Sequence, residues 1–133
     1  MAKTETRTHL EGMSRSLTAV HKSLIHVQKE ILEQQTGRAY APHEVLNIAF
    51  SHPDFEWLLK ISSLIVRIDE KVDKGTDDEI EKFSPEMTRE IYEMFIDPGQ
   101  WIEIKKKMME FINHDSNLMF QLSDLRKFLV KKG

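Results

Sequence analysis

The chain has 133 residues, of which 40% are hydrophobic and 31% charged, with a net charge of −3, five Gly, four Pro and no Cys. That length suits one domain, which buries roughly two-thirds of the surface its unfolded chain exposes. The apolar content excludes a wholly disordered chain, sparse Gly and Pro argue against a turn-rich β fold, and the missing cysteine excludes a disulfide scaffold, a Cys-ligated zinc site and thiol catalysis.

The first helix is the best-specified element. Leu10, Met13, Leu17, Val20, Leu24, Val27 and Ile31 are spaced 3, 4, 3, 4, 3, 4, the heptad seam that keeps one stripe against a partner helix. Thr4 or Thr8 is expected to cap its start, after a few disordered residues, and Gly37 to close its end. Pro42 then predicts a short second helix with Val45, Leu46, Ala49 and Phe50 as its apolar face. Ser51-His52-Pro53 breaks the pattern, and a third helix runs from Pro53 to about Lys74. Its seam is Leu58, Ile61, Ile65, Ile68 and Val72, widened by Trp57 and Leu64. Leu24 and Ile65, mid-seam in the two longest helices, are expected to be fully buried.

Gly75 ends the third helix, and Thr76-Asp77-Asp78-Glu79 is a capping-box sequence. Ser84-Pro85 predicts a fresh cap and first-turn proline, with Met87, Ile91, Met94 and Phe95 lining the helix after it. Asp97-Pro98-Gly99 repeats that signal before Trp101, Ile104, Met108 and Phe111 or Ile112. Asn113–Ser116 offers a new cap for a last helix faced by Leu118, Leu122, Leu125 and Leu129. No segment alternates with period 2. The fold class is therefore all-α, one antiparallel bundle of about four to six helices spanning residues 1–133, two of them long.

The text from Phe50 to Glu70, with its His52-x-x-Phe55-x-Trp57-Leu58 block before Ile65-Val66-x-Ile68-Asp69-Glu70, resembles a family of small bacterial helical proteins of unknown function. The resemblance covers mainly residues 41–70. It implies a bacterial helical protein and brings no functional residue with it.

Charge is unevenly placed: residues 1–40 carry 6 basic and 4 acidic groups, residues 41–104 carry 6 and 15, and residues 105–133 carry 7 and 3. The basic ends are expected to lie beside the acidic middle within one bundle. Six histidines invite a metal reading, and His26/Glu30 and His52/Glu56 stand at i, i+4 on one helix face each. His26 and Glu30 lie off the apolar seam and His52 precedes a proline, so no metal site and no cofactor are expected. The four residues stay as the alternative set. Lys105-Lys106-Lys107 beside Trp101 superficially suits nucleic acid, but consecutive helical lysines point about 100° apart and make no single patch. Met87, Met94, Met108, Met109 and Met119 are a candidate for an adaptable apolar groove, or simply for core.

The Ser51-His52-Pro53 corner is expected to fold inward with Phe55, Trp57 or both buried, and with His52 orienting the junction. Glycine-rich phosphate loops, nucleophile elbows and His-Glu-x-x-His are all missing. The sequence thus points to a non-enzymatic interaction or regulatory bundle that binds a protein partner or itself, the latter through the first helix. The alternative is a small-ligand or metal-binding bundle using His52, Trp57 and Trp101. No export signal or spanning segment is legible, so a cytoplasmic location is expected.

Overall fold

The structure, a computed structural model, describes residues 2–130, with side chains from Glu5 onward. Among the described residues there are six α-helices and no strand: α1 (Ala2–Thr36), α2 (Pro42–Ser51), α3 (Glu56–Lys74), α4 (Asp77–Phe95), α5 (Ile102–Ile112) and α6 (Ser116–Leu129), with a 3-10 turn at Pro53–Phe55 before α3. The expected all-α bundle is what forms.

α1 is the axis of the bundle. Its 35 residues extend about 52 Å at 1.5 Å per residue. Leu10, Met13, Leu17, Val20, Leu24 and Val27 are all fully buried, because α3, α4 and α6 pack around the one helix. The seam is thereby satisfied within the chain and offers no face for dimerisation through α1. Its last member is displaced: Ile31 is half-buried and Leu32 takes its place. A straight helix drifts about 20° per heptad against a 3.5-residue repeat, so the buried stripe passes to the next residue after three heptads. The helix is regular from Ala2, ahead of both Thr4 and Thr8. Gly37, at φ 74°, takes the left-handed cap that ends it, donating its N–H to the Glu33 carbonyl.

Three expectations need correction. α2 is rotated by about one residue from its expected setting: Val45, Ile48 and Ala49 face the body, while Leu46 and Phe50 are 65% and 75% exposed. The helix rests mainly on α3 and the 3-10 turn, and its Leu46/Phe50 side is left uncovered. In α3 the fully buried stripe is Trp57, Leu58, Ile61, Leu64 and Ile68, and Ile65 is only half-buried at its edge. Ile61 and Ile68, both fully buried, are its centre, and Trp57 and Leu64 belong to the stripe rather than merely widening it.

The third correction concerns α4, which does not restart at Ser84. Thr76 caps it as the sequence predicts, its Oγ1 accepting from the Glu79 N–H at 3.2 Å while Glu79 Oε1 accepts from the Thr76 N–H at 2.8 Å. The helix then continues through Pro85. Proline withholds the donor that the Glu81 carbonyl would use, yet burial of Ile80, Ser84, Met87, Ile91 and Met94 holds one continuous helix across it. Tertiary packing overrides a local stop signal here.

Candidate functional site

The turn between α4 and α5 sets up an apolar concave surface. Asp97 Oδ1 accepts from the Gly99 N–H at 2.9 Å, closing a tight turn rather than capping α5. α5 starts four residues later than that turn suggests, behind Trp101, which sits in the left-handed region at φ 50°. A bulky residue there costs on the order of 1 kcal/mol. The Lys60 ammonium lies 5.0 Å from the centre of the Trp101 ring, an attraction that offsets part of that cost. Lys105 fixes the other side of the turn. Its Nζ donates to the Glu93 carbonyl at 2.7 Å and also to the Gln100 carbonyl, so a cation closes the C-terminal end of α4 where the helix dipole favours it. Desolvation by burial lowers the Lys105 pKa, against an opposing pull from Asp97.

Held this way, α5 stands beside α6 with an apolar groove of about 400 Å³ between them, closed at one end by Phe95 and Ile96. Met108, Ile112, Leu122 and Leu125 form its floor and sides. Met109 and Met119 form its lips and are 67% and 52% exposed. Lys105 and Arg126 are the only charged residues lining it among the described residues. The Arg126 guanidinium has no hydrogen-bond or ion-pair partner among the described residues. Unbranched, polarizable methionine side chains suit a surface that must mould to an apolar guest.

The residues singled out from sequence are placed elsewhere. Trp57 is core: its ring meets Phe111 edge-on at 5.4 Å, Lys107 Nζ lies 5.5 Å from its centre, and its indole N–H donates to Gln28 Oε1 at 3.3 Å. Phe55 is buried beside it, so the corner folds inward as expected. His52 joins two elements. Its N–H donates to the Ile48 carbonyl at the end of α2 at 2.7 Å, and its Nδ1 accepts from the Asp54 N–H at 3.1 Å at the start of the 3-10 turn. Trp101 is partly exposed. None of His52, Trp57 and Trp101 lines the α5–α6 groove.

His26 Nε2 pairs with Glu30 Oε1 at 2.9 Å on the exposed side of α1. Among the described residues no group of three or more His, Asp or Glu side chains is arranged to hold a metal ion, so His26, Glu30, His52 and Glu56 do not assemble into one site. A second concavity of about 920 Å³ between α1 and α3 mixes Arg7, Arg15 and Lys22 with Glu11, Asp69 and Asp73, and Ser14 Oγ donates to Asp69 Oδ1 at 2.5 Å. Its charges offset one another and favour no ion of either sign.

The perturbed titrations have structural causes. Burial lowers the pKa of His9, and that of His21 against the opposing bond between Nε2 and the Leu58 carbonyl at 3.1 Å. The Ala41 amide, aided by Arg38, holds the Glu44 carboxyl below the usual range, and Thr76 does the same for Glu79. Each of these groups caps a helix or packs against one.

The lips of the groove were the feature least legible in the sequence, although a signal exists. Met109 falls outside the Ile104-Met108-Phe111 stripe and Met119 outside the Leu118-Leu122-Leu125-Leu129 stripe. Apolar residues out of phase with the buried face mark surface that the chain itself does not cover. No helix among the described residues is long and apolar enough to cross a membrane. Neither a protein-family model, nor a curated protein, nor a solved structure gives a significant match to this chain.

Proposed function

We propose that this protein is a non-enzymatic interaction module and that the groove between α5 and α6 is the surface by which it binds a protein partner. The observation that carries this reading is the exposure of Met109 and Met119 along an apolar groove of about 400 Å³, in a helical protein whose other large apolar residues are mostly spent in the core. Two antiparallel-type helix walls with soft lips are the geometry in which an amphipathic helix docks through residues at i, i+3, i+4 and i+7. The strained Trp101 and the Lys105 staple support it too, since both hold α5 in the position that opens the groove. A bacterial protein is part of the same reading, on the strength of the resemblance over residues 41–70, and the cytoplasmic location expected from the sequence goes with it.

The test is photo-cross-linking in cells, with a photoreactive phenylalanine analogue in place of Met109 and, as a control, in place of the exposed Glu103. Specific adducts from position 109 and none from position 103 are the expected result. Equal or absent labelling at both positions refutes the groove as a binding surface.

A further inference from the structure

A second surface on the same chain lacks a cover. α2 buries one side against α3 and leaves Leu46 and Phe50, one turn apart, as an outward ridge. Two large apolar side chains stacked at i, i+4 on an exposed helix face form the kind of knob that a groove between two other helices receives. We infer that the outward face of α2 from one copy of the chain docks into the α5–α6 groove of a second copy, head to tail. This rests on the reading of the groove as a binding surface and names its occupant.

Length, charge and topology agree with that pairing. α2 has 10 residues and α5 has 11, so the two are about 15 and 16 Å long and can lie side by side along their whole length. Residues 41–56 hold Glu44, Asp54 and Glu56 and no Lys or Arg. Among the described residues the groove holds no acid and two cations, Arg126 and Lys105, the latter already bound to the Glu93 and Gln100 carbonyls. Glu44 is already engaged by Arg38, and Asp54 Oδ2 lies 3.8 Å from His52 Nδ1, which leaves the exposed Glu56, just past the end of the ridge, to face the Arg126 guanidinium. The two surfaces lie on different elements, since α2 packs on α3 and the 3-10 turn whereas the groove belongs to α4, α5 and α6. Each copy therefore offers one ridge and one groove, and ridge-to-groove contacts close a two-fold pair, close a larger ring or run on as an open chain according to the angle between the two surfaces. α1 cannot supply the interface, because its seam is already buried. A contact led by two side chains is small, so the association is weak and depends on concentration.

Sedimentation velocity of the full chain, from about 10 µM to about 1 mM, tests this. Wild-type protein is expected to sediment faster as concentration rises, and less so at high salt, because exposed charge pairs are screened. Phe50→Glu and Met109→Glu each change an exposed position, so circular dichroism should show both folded. Each alone should weaken association at least about tenfold. Mixed together, one variant still offers an intact groove and the other an intact ridge, so they should form a one-to-one complex that grows no further. A wild-type chain that stays monomeric overturns the inference, as does a mixture that fails to pair. If the chain stays monomeric while position 109 cross-links a different protein in cells, the second-copy inference falls and the groove remains a binding surface. If position 109 captures nothing, both readings fall.

Discussion

Gly12 lies in the interior of α1, fully enclosed, where helix propensity alone would favour alanine by about 1 kcal/mol. The structure reverses that expectation. A Cβ built at Gly12 would stand 2.7 Å from Phe128 Cε1 and 2.9 Å from Cζ, well inside contact distance. The ring cannot retreat freely, since it also meets His9 edge-on at 5.8 Å. Overpacking of this kind costs about 1–3 kcal/mol, and subtracting the propensity gain leaves Gly12→Ala destabilised by about 1 kcal/mol. At a denaturant slope of about 2 kcal/mol/M, that lowers the urea midpoint by about 0.5 M. The decisive measurement is the same substitution in a Phe128→Ala background. With the ring gone, Gly12→Ala should become stabilising by about 0.5–1 kcal/mol, a change of sign between the two backgrounds. Were Gly12→Ala stabilising in the wild-type chain, α1 and α6 would not approach as closely as the structure shows.

Three further outcomes are expected. Pro85→Ala should raise stability by about 1–2 kcal/mol, because the donor restored to the Glu81 carbonyl is worth more than the added freedom of the unfolded chain; a lower midpoint in urea would argue that α4 is broken there. His52→Ala should cost about 1 kcal/mol through loss of the Asp54 N–H cap, and His52→Asn, which keeps an acceptor, should recover most of it. If Asn fares no better than Ala, the cap is not what His52 contributes. His9 and His21 both have pKa values lowered by burial, so the native state binds fewer protons than the unfolded chain between their folded values and about 6.5. Stability should therefore be complete above about pH 7 and fall as pH drops through the folded values. His21→Asn should flatten that slope in urea titrations between about pH 7.5 and 5.5, a window above the Glu44 and Glu79 titrations; a native state that gains stability toward acid would contradict the burial of both rings.

Much of the fold follows from local chemistry that one sequence displays. The α1 seam, the Gly37 terminator, the Thr76 capping box and the Asp115 cap, whose Oδ1 accepts from the Asn117 N–H at 2.9 Å, depend on residues within a turn or two of one another. Periodicity identifies a helix and its apolar residues, but not which neighbour covers which side. Leu46 and Phe50 are as apolar as Ile48 and Ala49, and only the docking of α2 on α3 decides which pair faces water. The same holds at Pro85, where packing along α4 outweighs a stop signal, and at Gly12, where a ring from α6 turns a helix-weakening residue into a required one. The groove belongs to this second group. Its wall residues come from three helices, and its lips are legible only as methionines out of phase with their own stripes. The sequence determined the helices and most of their inward faces because those rest on contacts at i, i+3 and i+4. The tertiary structure decided the surfaces left without a partner, because burial depends on residues far apart in the chain.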